Sequence, residues 1–365
     1  MHIAFYAPLK SPNHPVPSGD RQMAQLLVAA LNEAGHSVEI ASQLRSFTAT
    51  PDPVERKKVA ASAKQEIVRL MDQWRQGTKP DLWFCYHPYY KAPDLIGPAL
   101  AAALSIPYVT AEASYSKRRD DTGWAGLQSL VVDAARQAAV NICFTQRDEI
   151  GLSSAIPEAR VARLQPFIDV SAFRTEPSSR NPYRLVTIAM MRPGDKLESY
   201  KMLAEALALI EDRSWKLSVI GDGPTRNEVM ALFSTFGAGR IEWLGERKAA
   251  DVVHLLYLGG TYVWPGTGEA YGIAYMEAQA AGLPVVAQAT AGVPEVVRNG
   301  VTGTLTEAGN AKTFAGAIGQ MLDNQEQREV MGTAARRFIL QERSLDIASK
   351  RLDQILREHG ANDGR

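Results

Sequence analysis

Two glutamates, Glu269 and Glu277, lie in the run Glu269-Ala270-Tyr271-Gly272-Ile273-Ala274-Tyr275-Met276-Glu277. An apolar stretch ends just before it at Trp264-Pro265, and Gly266, Gly268 and Gly272 make the intervening segment a turn. A helix that starts at the end of the turn leaves Glu269 in the turn and Glu277 about one turn into the helix, so both carboxylates can face one ligand. Ionised carboxylates accept hydrogen bonds from vicinal hydroxyls, such as those of a sugar or a ribose. The first N–H groups of the helix suit a phosphate. His87 precedes Pro88-Tyr89-Tyr90 at an expected strand end, where it is either a ligand contact or a packing residue of the loop. His14 sits in a proline-rich loop, and His36 reads as a structural residue between a helix and a strand. The basic runs Lys117-Arg118-Arg119 and Arg56-Lys57-Lys58 read as solvated faces, with an anionic acceptor or a membrane as the alternative for the first. The sequence has no Asp-x-Asp triplet, no His-x3-His pair and no cysteine cluster, so no metal site is expected.

The elements that must position these residues are short apolar strands alternating with amphipathic helices. Ile3–Ala7 is an expected strand, Asp20–Ala34 a helix with apolar residues at helical spacing, and Ser37–Ser42 a second strand. Val54–Gln76 reads as a long helix with a charged face, and strands follow at Leu82–Tyr86, Tyr108–Ala111 and Val140–Phe144. The irregular stretch from Leu164 to Pro182 resembles a linker. The pattern then repeats, with strands at Arg184–Met190, Lys216–Gly221, Ile241–Leu244, Thr261–Trp264 and Pro284–Gln288. The helices of this half are expected at Ser199–Ile210, Arg226–Phe236, Ala249–Leu256 and Ala274–Gly282. Two more follow near Lys312–Asp323 and Gln325–Glu342, before a last one at Leu345–Glu358. Alternation of this kind predicts two parallel α/β domains, with ligands at the carboxyl ends of the strands.

The chain has 365 residues, 45% of them hydrophobic and 22% charged, with a formal net charge of zero. That length suits two domains, and the charge balance argues against a nucleic-acid partner. Met1 runs straight into an apolar strand, so no signal peptide is expected, and no apolar run is long enough to span a bilayer. Cys85 and Cys143, the two cysteines, both lie in apolar runs and read as buried thiols. The expected compartment is the cytoplasm, with peripheral contact at the inner membrane surface as a second placement.

The stretch from Pro265 to Gly303, with Gly282-Leu283-Pro284-Val285-Val286 and Gly292-Val293-Pro294-Glu295 after the two glutamates, resembles the donor-binding region of the retaining GT-B glycosyltransferases of family 4, the glycosyl transferases group 1. Gly221-Asp222-Gly223-Pro224, Trp243-Leu244-Gly245, the pair Arg192 and Lys196, and Pro166-Phe167-Ile168-Asp169 with Phe173 are similar to further parts of that pattern, in order. Ser18-Gly19-Asp20, with Gly35-His36, resembles its N-terminal loop and helix. Three features depart from the pattern. Ser18 stands where the family usually has a glycine, Arg192 and Lys196 are one residue closer than usual, and Glu112-Ala113-Ser114-Tyr115 stands where the family often carries a histidine.

The resemblance implies a GT-B fold, two Rossmann-like domains facing across a cleft. It places an acceptor domain at 1–166, a linker at 167–181, a donor domain at 182–345 and a helix at 346–365 that crosses back to the first domain. It implies a metal-independent hexosyl transfer from a nucleotide diphosphate sugar to a hydroxyl of a glycan, a lipid-linked molecule or a small molecule, with no cofactor. Arg192 and Lys196 would hold the diphosphate, aided by the N–H groups near Gly19. Glu269 and the backbone at Tyr271-Gly272 would hold the sugar. Glu277 would meet the ribose, with Gly221–Gly223 and Glu246-Arg247 near the base. His87 and Glu112 are the expected acceptor or sugar contacts. The other readings are a GT-B sugar-nucleotide 2-epimerase and a catalytically silent nucleotide-sugar-binding protein.

Overall fold

The computed structural model describes residues 1–175 and 180–360. It divides into two units, Met1–Gln165 with Leu345–Arg365, and Pro166–Ser344.

The first unit runs β1 (His2–Tyr6), α1 (Gly19–Glu33), β2 (Ser37–Ile40), α2 (Pro53–Gln76), β3 (Leu82–Tyr86) and α3 (Gly97–Leu104). It continues as β4 (Tyr108–Ala111), α4 (Ala125–Gln137), β5 (Val140–Cys143), α5 (Gln146–Ala155) and β6 (Val161–Arg163). The strands form one parallel sheet in the order β2-β1-β3-β4-β5-β6. Strands β3, β4 and β5 are buried at every position, as expected of a sheet covered on both faces. Trp83 from β3 packs edge-on to Trp74 of α2, with ring centroids 6.4 Å apart. Its indole N–H donates to buried Asp94 at 2.9 Å, and Asp94 accepts the backbone N–H groups of Ile96 and Gly97 at the start of α3. A buried carboxylate is thereby satisfied by the helix start that it caps. Cys85 and Cys143 are buried free thiols.

The second unit runs β7 (Arg184–Ile188), α6 (Asp195–Ala208), β8 (Lys216–Ile220), α7 (Arg226–Leu232), β9 (Ile241–Gly245) and α8 (Ala249–Tyr257). After these come β10 (Thr261–Val263), α9 (Ile273–Ala280), β11 (Val285–Gln288), α10 (Val293–Val296), β12 (Gly303–Thr306), α11 (Ala311–Asp323) and α12 (Gln325–Glu342). Its parallel sheet has the order β12-β11-β10-β7-β8-β9. This is the doubly wound order, and the direction of winding reverses between β7 and β10. The final helix, α13 (Leu345–His359), packs on α1 of the first unit, where Asp353 meets the His36 ring at 3.2 Å.

Several expectations are corrected. Helix α6 begins at Asp195, four residues before the expected Ser199. Gly194, at φ 82°, turns the chain, and Asp195 and Glu198 in the first turn complement the helix dipole. Helix α7 stops at Leu232 instead of Phe236. Strands β6 and β12 were not foreseen, being three and four residues long. Residues 167–175 of the expected linker pack within the second unit: Phe173 is buried, lies edge-on to Tyr257, and its carbonyl accepts from Arg336 at 2.6 Å. Pro177, Ser178 and Ser179 lie outside the described residues, as do positions 361–365 of the expected last segment. No described helix is long and apolar enough to cross a membrane.

Candidate functional site

In the second unit, the backbone continues to bond past the ends of the strands. Met191 N–H donates to the Asp222 carbonyl at 2.9 Å, Thr225 N–H to Met191 at 3.1 Å, and Gly221 N–H to Gly245 at 2.9 Å. The exits of β7, β8 and β9 are thus stitched into one surface. Gly221 and Gly223 permit it. Their φ values are 146° and 155°, and a Cβ would stand 1.9 Å from the Ala189 carbonyl oxygen and 2.1 Å from that of Met191. The glycines expected near a base therefore have a demonstrable job in packing the loops. Arg192 follows directly on this seam and is exposed. Among the described residues it forms no hydrogen bond or ion pair.

Lys196 lies in the first turn of α6. The Tyr200 hydroxyl pins this helix by donating to Ala189 O at 2.9 Å, and Ser199 Oγ accepts the Thr267 N–H at 3.0 Å, which ties α6 to the turn after β10. The result brings Lys196 against Glu269 in an ion pair, with side chains only 18% and 16% exposed. Buried Trp264 completes the cluster. Its indole N–H donates to Glu269 Oε1 at 3.1 Å, and the Lys196 ammonium stands 5.5 Å from its ring centre. Two candidates expected to serve different parts of a ligand are therefore direct partners here. A pair this shielded from water is stronger than a surface ion pair, and each member leaves it only for another charged or hydrogen-bonding group.

Gly272 starts α9 and has no side chain to cap its first N–H groups. Tyr271 is buried, and Glu277 is half-buried in the fifth position of the helix. Glu246 and Arg247 are exposed just past β9. The second unit thus gathers Arg192, Lys196, Glu269 and the start of α9 at the carboxyl ends of β7 and β10, where the topology opens a crevice.

The first unit holds the remaining candidates. His87 and Glu112 are the residues directly after β3 and β4, at φ 57° and 55°, a conformation that non-glycine residues seldom adopt. Such a residue costs roughly 1–3 kcal/mol and persists where its surroundings impose it. Here the sheet imposes it: His87 N–H donates to Ala111 O and Glu112 N–H to Ile142 O, both at 2.8 Å. The His87 ring bonds through Nδ1 to Asp20 Oδ1 at 3.0 Å. Asp20 lies in the first turn of α1, whose N-cap Ser18 accepts the Arg21 N–H. Burial alone would lower the His87 imidazole, but the hydrogen bond and charge of Asp20, with Glu112 and Asp148, push it up to about 9. Burial pushes the Glu112 carboxyl up to about 7, against the opposing pull of His87 and the Tyr86 hydroxyl. Gly19 has open space where a Cβ would be. Asp20 and Asp148 went unforeseen. Asp20 is 67 residues from His87, and no local spacing signals such a pair.

Among the described residues, no three His, Cys, Asp or Glu side chains come together as metal ligands do.

Comparison with known proteins bears on both units. The profile of the glycosyl transferases group 1 matches residues 180–338. The chain is 26% identical over 220 residues to the GDP-mannose-dependent alpha-(1-6)-phosphatidylinositol monomannoside mannosyltransferase of Mycolicibacterium smegmatis, a match covering 55% of this chain and 57% of that protein's length. It is 24% identical over 385 aligned positions to the D-inositol 3-phosphate glycosyltransferase of Corynebacterium aurimucosum, covering 92% of this chain and 91% of the relative. HepE of Anabaena, solved with UDP, superposes with a TM-score of 0.75 at 16% identity, over 98% of this chain and all of that one. Sucrose-phosphate synthase of Thermosynechococcus elongatus gives the same TM-score and identity, with 98% of each chain covered. Residues 180–338 are similar to the glycosyl transferases group 1, and the chain's two Rossmann-like units give it the GT-B fold.

Proposed function

We propose that this chain is a retaining glycosyltransferase that moves a sugar from a nucleotide diphosphate donor to a hydroxyl of a glycan, a lipid-linked molecule or a small molecule. The observation that carries the reading is the Lys196–Glu269 pair, beside exposed Arg192, at the carboxyl ends of β7 and β10 within the matched segment. A diphosphate is the natural competitor of Glu269 for Lys196, and a sugar hydroxyl is the natural competitor of Lys196 for Glu269. Donor binding would then split the pair, with Arg192 and Lys196 on the diphosphate and Glu269 and the backbone at Tyr271-Gly272 on the sugar. Glu277 is assigned to the ribose, and Gly221–Gly223 with Glu246-Arg247 to the region of the base.

In this reading the two cations stabilise the leaving diphosphate as charge builds on it, the work a divalent metal would otherwise do. The acceptor hydroxyl attacks the anomeric carbon on the face the diphosphate leaves. The C–O bond to the diphosphate breaks as the new one forms, and the hydroxyl proton passes to a phosphate oxygen. Relatives and neighbours that act on GDP-mannose or inositol phosphate, or were solved with UDP, support the donor class and a polyhydroxyl acceptor. The test is a thermal-shift panel of UDP-, GDP-, ADP- and dTDP-sugars, followed by a transfer assay in EDTA with whichever donor binds. Saturating a site at about 100 times Kd adds about 2.7 kcal/mol of stability, a clear rise in melting temperature. A panel in which no donor raises it would defeat the reading, and activity restored only by Mg²⁺ or Mn²⁺ would defeat its electrostatic part.

A further inference from the structure

The turn that carries Glu269 has little rigidity of its own. Gly266 and Gly268 take it through left-handed backbone at φ 77° and 66°, and glycine loses more freedom on ordering than any other residue. Two hydroxyls from different elements hold it. Ser199 of α6, fully buried, accepts the Thr267 N–H at 3.0 Å and donates to Asp195 O at 2.8 Å, beside Lys196. Thr290, in the loop after β11, donates its hydroxyl to Gly266 O at 2.9 Å. That oxygen also accepts the N–H of Glu269 itself, at 3.1 Å, which closes the turn. One carbonyl thus ties Glu269 to Thr290. The same loop grips the turn through its backbone. Gln288 N–H donates to Pro265 O at 3.1 Å and Gly292 N–H to Glu269 O at 3.4 Å. Between them Ala291 stands at φ 46°, which non-glycine residues seldom adopt. Of these loop contacts, the one from Thr290 is made by a side chain, so it depends on the residue type.

We propose that Thr290 is a positioning residue for Glu269: through Gly266 O it sets the carboxylate against Lys196 and the Trp264 indole, and so against the sugar of a bound donor. The last clause rests on the glycosyltransferase reading, whereas the setting of Glu269 does not. Without the Thr290 hydroxyl, the turn keeps its own closing bond but loses its side-chain tether, and Glu269 samples a wider range of positions. The Trp264 indole N–H, which donates to Glu269 Oε1 at 3.1 Å, reports that range directly.

The test compares Thr290→Val, which removes the hydroxyl and keeps the branch at Cβ, with Thr290→Ser, which keeps the hydroxyl. The first arm is NMR on the full chain labelled at tryptophan, with no ligand and with the Trp264 indole signal assigned by Trp264→Phe. Thr290→Val should shift the Trp264 indole N–H away from its wild-type position, as Glu269→Gln does, and Thr290→Ser should bring it back. The second arm is calorimetry with the donor found in the panel. Thr290→Val should weaken donor binding by about tenfold and leave the free nucleoside diphosphate unaffected, with recovery in Thr290→Ser. In a Glu269→Gln background Thr290→Val should have no further effect, because a residue that acts through Glu269 has nothing left to set. An unmoved indole signal in Thr290→Val, equal weakening of donor and nucleoside diphosphate, or a tenfold loss that persists in Glu269→Gln would each overturn the proposal. If Thr290→Val fails to fold, Thr290→Ala carries the same arms. If no nucleotide sugar binds, the glycosyltransferase reading fails, and the indole signal still decides whether Thr290 sets Glu269.

Discussion

Each sheet reverses its winding once, and at each reversal a cation and a carboxylate from different strands meet. In the second unit the pair is Lys196 and Glu269, after β7 and β10; in the first it is His87 and Asp20, after β3 and β1. The topology is shared, but the chemistry is not. Lys196 and Glu269 form an ion pair that is shielded and braced by an indole, an arrangement fit for exchanging partners with an ionic ligand. His87 and Asp20 are more open, at 27% and 36% side-chain exposure, and His87 titrates. Backbone support differs too. The second unit uses glycines where a side chain cannot fit, whereas the first forces His87 and Glu112 into left-handed conformations. We read this as one site built for a diphosphate and one that is not.

The comparison breaks most readily at Arg192. Arg192→Ala should lower turnover by about 10²–10³, or roughly 3–4 kcal/mol, while leaving the fold and the His87–Asp20 pair intact. Steady-state kinetics on the folded variant would show it, and near-normal turnover would move the diphosphate elsewhere. Gly221→Ala comes next. It must displace the Ala189 carbonyl and should cost roughly 2–4 kcal/mol of stability in a denaturant titration. Gly19→Ala in the first unit, with open space for its Cβ, should change stability by no more than about 0.5 kcal/mol. Equal effects would remove the claimed difference in backbone support.

Much of this arrangement was legible in the sequence, for physical reasons. Strand periodicity located β1, β3, β4, β7, β8 and β10 closely, because buried parallel strands are nearly continuous apolar runs. It missed β6 and β12, whose Val161-Ala162-Arg163 and Gly303-Thr304-Leu305-Thr306 are only partly buried and form no continuous apolar run. The placement of Arg192 and Glu269 after strands and of Glu277 within a helix was legible from their order, a signal carried along the chain. The start of α6 was misplaced because Pro193-Gly194-Asp195 reads as loop, so the position of Lys196 within a helix went unseen. The contact of Lys196 with Glu269 was hidden by 73 residues of separation, and that of His87 with Asp20 by 67. Both pairings depend on which strands lie side by side, which a local pattern does not encode.

Glu269→Gln should weaken binding of the full donor by roughly 1.5–3 kcal/mol and leave the free nucleoside diphosphate nearly unaffected. Calorimetry with both ligands measures the split; equal losses would assign Glu269 to the nucleotide instead. A further effect concerns pH in the first unit. Glu112 is raised from 4.5 to about 7 and His87 from 6.5 to about 9, so each favours folding in its protonated form. The Glu112 contribution is present below pH 4.5 and lost as pH rises through 7. That of His87 is present below 6.5 and lost as pH rises through 9. Melting curves should therefore show Glu112→Gln gaining stability relative to wild type between pH 4.5 and 7, and His87→Gln closing its deficit between 6.5 and 9. Differences that do not vary with pH would mean that neither group is held as described.

The division of labour between the two crevices is tested most directly by titrating a nucleoside diphosphate, identified from the donor panel, into Glu277→Gln and His87→Gln side by side in a calorimeter. Both variants should remain folded, as melting curves would establish beforehand. The account predicts that Glu277→Gln binds the nucleoside diphosphate more weakly by roughly 1.5–3 kcal/mol, while His87→Gln binds it as the wild type does. Loss of nucleoside diphosphate binding in His87→Gln with full binding in Glu277→Gln would contradict it.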